Sequence, residues 1–68
     1  MESFATRLKE LRTEKGLSQE QLSKATGISR SVIGYWENGK KHPSSTAIIT
    51  LAKYFEVSSD YLLGITDC

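Results

Sequence analysis

The sequence predicts an all-α domain built from five short helices. Three observations carry that expectation. Apolar residues recur three and four positions apart in five successive segments, three of those segments open on a serine flanked by an apolar pair, and no segment alternates convincingly as a strand does. A chain of 68 residues makes one small domain, 1–68, which buries roughly 60% of its extended surface. That is too short for a doubly wound sheet, an enzyme barrel or two separate modules. With 38% hydrophobic and 25% charged residues the chain has the composition of a folding protein.

The first segment places Phe4, Leu8 and Leu11 on one face, with Ser3 as a possible cap and Gly16 as its stop. The second starts on a capping box, Ser18 to Gln21, with Leu17 and Leu22 as the apolar staple around it, and ends at Gly27. The third follows at once: Ser29 is the expected cap, Ile28 and Ile33 the staple, and Asn38-Gly39 the stop. Two short helices joined by so tight a glycine turn cross steeply, as a helix-turn-helix over about residues 18–37. Residues 40–43 read as a loop. A fourth helix from Ser44 or Ser45 carries Ile48, Leu51, Ala52 and Phe55 as its stripe; Ser58 caps a fifth, with Val57 and Leu62 as staple and Gly64 as stop. The expected core is Leu8, Leu22, Ile33, Trp36, Leu51, Phe55 and Leu62. Helices this short are marginal in isolation, so packing must hold them.

Nine basic and eight acidic residues leave a net charge of +1, but the charge is uneven. Lys24, Arg30, Lys40 and Lys41 outnumber Glu37 in the middle of the chain, whereas the last third is acidic. A basic middle serves polyanion binding or a plain solvated face equally well. No apolar run spans a bilayer and no signal segment opens the chain, so the expected location is cytoplasmic, on the nucleoid. The single cysteine, Cys68, excludes a disulfide framework and any multi-cysteine metal site, and reads as an exposed terminal thiol. His42, the one histidine, has no acidic or cysteine partner at ligand spacing. No metal, cofactor or enzymatic activity is expected.

The third segment carries the functional reading. At 3.6 residues per turn, Val32, Ile33 and Trp36 share one arc, while Arg30, Ser31, Gly34, Tyr35 and Asn38 share the opposite one. A helix anchored by one face and presenting short polar groups on the other fits a DNA major groove about 12 Å wide. Arg30, in the first turn, reads guanine, holds a phosphate or is an ordinary surface charge. Tyr35 stacks on a sugar, meets a thymine methyl or donates to a phosphate. Gly34 either permits close approach or is simply a tolerated poor helix former.

These residues resemble a known family. Gly16-Leu17-Ser18-Gln19-Glu20-Gln21-Leu22, then Gly27-Ile28-Ser29-Arg30-Ser31, Ile33, Trp36-Glu37-Asn38-Gly39-Lys40 and Pro43-Ser44 are similar to the lambda repressor/Cro-like (XRE) helix-turn-helix family. Leu51-Ala52-Lys53, Phe55, Val57-Ser58 and Tyr61-Leu62-Leu63-Gly64 extend the likeness over nearly the whole chain. The resemblance implies a compact five-helix lambda repressor-like fold in which helices two and three form the motif. It places Gln19 at a phosphate-contacting position, Arg30, Ser31, Gly34 and Tyr35 at base-reading positions, and Asn38, Lys40 and Lys41 in a loop that clamps the DNA backbone. Glu37 matches an acidic residue that pairs with an arginine of helix one, here Arg12. Ser23, Thr26 and Ser45 stand where relatives commonly carry apolar residues, and each of the first two hydroxyls is expected to donate to the carbonyl four residues back. Gly34 and Tyr35 replace more usual polar or basic residues, so the operator does not follow by analogy.

The expectation is a sequence-specific regulator of transcription that binds double-stranded DNA, a bacterial or phage repressor acting as a homodimer on a pseudo-palindromic operator. Tyr61, Leu63 and Ile65 are the expected dimer surface, with Leu63 and Ile65 as caps of the core the alternative. Two rival readings share the fold: a DNA-binding component of a toxin–antitoxin or restriction–modification system, and a protein-interaction module that has lost DNA. The sequence names no small-molecule effector.

Overall fold

The computed structural model describes residues 2–66, leaving the thiol of Cys68 outside the described residues. Five helices follow one another: α1 (Glu2–Glu14), α2 (Gln19–Thr26), α3 (Arg30–Glu37), α4 (Ser45–Phe55) and α5 (Ser59–Leu63). No strand occurs among the described residues. Each apolar stripe turns inward, and Phe4, Leu8, Leu22, Ile33, Leu51 and Leu62 are fully buried, with Trp36, Ala47, Ile48, Ala52 and Phe55 around them. The Phe4 and Trp36 rings meet edge to face, centroids 5.8 Å apart, which ties the start of α1 to α3. Leu17, Ile28 and Val57, the outer members of the three staples, lie half-buried against this core.

The caps are local and mostly those the residues announce. Ser18 accepts from the Gln21 amide at 3.0 Å while the Gln21 side chain accepts from the Ser18 amide at 2.8 Å, completing the box. Ser44 and Ser58 cap α4 and α5 through the amides of Ala47 and Tyr61. Two expectations fail. Ser3 lies inside α1, which begins one residue earlier, so it caps nothing. Ser29 holds the N-cap position of α3, but its hydroxyl makes no capping bond.

The glycine stops at 16, 27, 39 and 64 all take positive φ, 70°, 76°, 72° and 80°. Gly64 is needed twice over, because any side chain there would also overlap Ser3 of α1. At the end of α4 the same left-handed turn is made by Glu56, at φ 57°, a conformation unusual for a residue with a side chain. The turn still forms because Val57 N–H reaches Ala52 O at 3.0 Å and Val57 is drawn inward against the core.

Candidate nucleic-acid interface

The three residues joining α2 to α3 are held by side chains as well as backbone. Gly27 N–H donates to Ser23 O at 2.8 Å, the Ser23 hydroxyl donates to Ile28 O, and Ile28 N–H donates to Thr26 Oγ1 at 3.3 Å. Thr26 also donates back to Leu22 O at 2.8 Å, as expected of it. Ser23 instead reaches forward into the turn, because the carbonyl of Ile28 has no helical partner and the hydroxyl satisfies it. The hydroxyls that depart from the family pattern therefore stiffen the joint that sets the angle of α3. Ser45, the third departure, is exposed at the first position of α4.

On its inner side α3 is anchored by Ile33 and by Trp36, which is 4% exposed, with Val32 half-buried beside them. Its C-terminus is strapped to α1. Arg12 Nε and Nη2 donate to the two oxygens of Glu37 at 2.7 and 2.9 Å, a bidentate pair with the side chains only 12% and 4% exposed. The third guanidinium nitrogen donates to Leu17 O at 2.7 Å, so the same group holds the α1–α2 joint. Hydrogen bonding to Glu37, and secondarily its charge, raise the Arg12 pKa above its ordinary value against the opposing effect of burial. The Glu37 carboxylate takes one bond more: Gln19 Nε2 donates to Oε1 at 3.1 Å.

The outer side of α3 is open. Arg30 and Ser31 are exposed in its first turn, and Tyr35, 42% exposed, stands one turn further on. Asn38, Lys40 and Lys41 are exposed beyond its end. The Lys41 ammonium lies 5.2 Å from the Tyr35 ring centroid, joining loop and helix. Lys40 N–H donates to Tyr35 O at 2.8 Å and Gly39 N–H to Trp36 O at 3.1 Å, fixing where the loop leaves the helix. Gly34 is placed differently from its neighbours on that arc. It is half-buried and faces α2, where an added Cβ would lie 3.6 Å from Gln19 Oε1. Gln19 itself is half-buried at the first position of α2, its side-chain nitrogen directed to Glu37.

Away from this face, Ile65 is 72% exposed and Ile49 protrudes from α4. Leu63 packs against the core at half burial. Tyr61 is half-buried with the Arg7 guanidinium 4.2 Å from its ring centroid. Sequence reasoning did not find the Gln19–Glu37 bond, the Arg12 bond to Leu17 O or the exposure of Ile49. The first two join residues whose only sequence signal is a polar side chain at a helix end. Among the described residues no helix is long and apolar enough to cross a membrane, and no cluster of His, Cys, Asp and Glu could hold a metal ion.

Two short helices joined by a glycine turn, the second buried along one side and open along the other, define a helix-turn-helix domain. A helix-turn-helix family model matches residues 8–62, and the chain belongs to that family, of the lambda repressor/Cro-like type its sequence resembles. It is 42% identical over 61 residues to the HTH-type transcriptional activator BcrR of Enterococcus faecalis, covering 90% of this chain and 30% of that one. It is 39% identical over 64 residues to the uncharacterized HTH-type transcriptional regulator YobD of Bacillus subtilis, covering 94% of this chain and 57% of that one. The chain thus spans between about a third and somewhat over half of these relatives. Among solved structures, the restriction–modification controller protein C.AhdI from Aeromonas hydrophila superposes with a TM-score of 0.81 at 41% identity, covering 90% of this chain and 92% of that one. The two relatives are named as transcriptional regulators, and the solved structure as a controller protein.

Proposed function

We propose that this chain regulates transcription by binding double-stranded DNA selectively through the outer side of α3. The observation that carries the reading is the asymmetry of that helix: Ile33, Trp36 and Glu37 are fixed inside while Arg30, Ser31 and Tyr35 remain open. Arg30 and Ser31, in the first turn, meet base edges, and Tyr35 meets a sugar or a thymine methyl. The first backbone amides of α2, at Gln19, grip a phosphate, as do Asn38, Lys40 and Lys41. One such module covers little DNA. Two copies related by a two-fold axis would read half-sites with centres about 34 Å apart, joined through Ile65 with Leu63 and Tyr61.

Occupying a promoter represses, and binding beside one activates, so the direction of control follows from the operator's position. A second reading has an observation of its own. The likeness to a restriction–modification controller runs over nearly the full length of both chains at 41% identity, which favours a role in controlling such a system over a free-standing repressor. Selection of randomised duplexes by the purified protein tests the first reading: a two-fold symmetric motif is expected, and a pool that stays random would overturn it. If the selected motif lies upstream of adjoining restriction and methyltransferase genes, the second reading holds; a motif elsewhere rejects it.

A further inference from the structure

The packing of α2 on α3 brings an unpaired polar atom against Gly34. A carboxylate offers only acceptors, so the Gln19 carboxamide has to present Nε2 to Glu37, as it does at 3.1 Å. That choice determines which atom faces the other way. Gln19 Oε1 lies 3.6 Å from where a side chain on Gly34 would begin, on the arc that also carries Arg30 and Ser31. No residue of the described chain donates to it. Since no fully buried side-chain oxygen or nitrogen among the described residues lacks a partner, this oxygen keeps some access to solvent.

We propose that Gln19 reads a base: its Oε1, laid over Gly34, accepts a hydrogen bond from the exocyclic amino group of an adenine or a cytosine in the major groove. The inference rests on the DNA-binding reading above and adds a specificity-determining residue to it. At residue 34 the recognition helix has no side chain, and the carboxamide of the neighbouring helix fills the place. The reversed carboxamide would present donors instead, matching guanine O6 and N7, thymine O4 or adenine N7, and the requirement for an amino group would be lost. Glu37 prevents that reversal, and Arg12 holds Glu37, so both are positioning residues for the contact. A bulky side chain at 34 would displace the amide, whereas alanine would leave it in ordinary contact.

The test is selection of randomised duplexes by the wild type and by Gln19→Met, which keeps the length of the side chain and removes its acceptor. At one position in each half-site the wild type should retain adenine or cytosine, and the variant should become indifferent there alone. Affinity for the wild-type consensus should fall about 3- to 30-fold. A second measurement leaves the protein intact: purine for adenine, or pyrimidin-2-one for cytosine, removes only the amino group. It should weaken the wild type by a similar factor and the variant no further. Equal losses on every duplex with all preferences retained would overturn the proposal, as would a wild type insensitive to the bases that lack the amino group. A wild type that enriches no motif refutes the DNA-binding reading, and this contact with it.

Discussion

Glu37→Ala should destabilise the domain by about 3 kcal/mol, out of a total of about 3–10 kcal/mol for a chain of this size. The carboxylate accepts three bonds, from Arg12 Nε at 2.7 Å, Arg12 Nη2 at 2.9 Å and Gln19 Nε2 at 3.1 Å. Truncating one member of a sheltered pair leaves the other charged and unpaired, at a cost of about 3–5 kcal/mol. The lower end applies here because Arg12 keeps its bond to Leu17 O and some access to water. At about 4–8 °C per kcal/mol, the melting temperature should fall by about 12–24 °C in far-ultraviolet circular dichroism. Removing both charges, in Arg12→Met with Glu37→Leu, should cost only about 1 kcal/mol, chiefly for the Leu17 carbonyl. The pair contributes no pH dependence near neutrality from its basic side. The folded Arg12 pKa is raised, so its stabilisation is complete below the unfolded value and fades only in strong alkali. A Glu37→Ala melt within about 4 °C of wild type would refute the reasoning, as would a double variant as unstable as the sum of the singles.

Gly34→Ala should raise stability by about 1 kcal/mol, read from the urea midpoint, because the added Cβ meets only Gln19 Oε1, at 3.6 Å. Gly64→Ala should lower it by about 2 kcal/mol or more in the same assay, since positive φ and overlap with Ser3 oppose it together. Arg30→Ala should weaken binding to the selected operator more than to scrambled duplex, whereas Lys40→Ala should weaken both alike and reduce the salt slope by about one. Ile65→Asp should shift sedimentation towards monomer with little change in the melting temperature, because Ile65 is 72% exposed in the single chain.

The helices and their ends were legible because the signals are local. Ser18, Ser44 and Ser58 each need only an amide three residues on, and Gly16, Gly27, Gly39 and Gly64 only a left-handed turn. The inward face of α3 was legible for a similar reason, since Ile33 and Trp36 fall at helical spacing. What the sequence hid depends on which helix lies beside which. Helical spacing puts Gly34 with Arg30, Ser31 and Tyr35, yet only the approach of α2 shows that Gln19 covers it. Glu56 hides for another reason: nothing in a glutamate announces a left-handed turn, and it adopts one because Val57 is drawn to the core. The resemblance supplied the Arg12–Glu37 pairing; the residues alone, twenty-five positions apart, do not.

Little in α3 itself stabilises it. It has eight residues, its N-cap hydroxyl makes no bond, and it carries a glycine in its middle. A helix of that kind is mostly unfolded when isolated. Its shape is therefore imposed by Ile33 and Trp36 beneath it, by the turn that Ser23 and Thr26 brace, and by Glu37 at its end. None of these contacts uses Arg30, Ser31 or Tyr35. Those positions are then free to vary with little effect on the fold, and exposed substitutions of this kind usually change stability by only about 0.5 kcal/mol. Gln19 is the exception, for under the proposed base contact it belongs to both sets: its nitrogen serves the scaffold and its oxygen, over Gly34, is left for DNA. Changes of specificity should therefore pass easily through residues 30, 31 and 35. A change at residue 19 should move both the melting temperature and the preferred sequence, and a melting temperature that falls while the preferred sequence stays the same would show that its amide is scaffold alone.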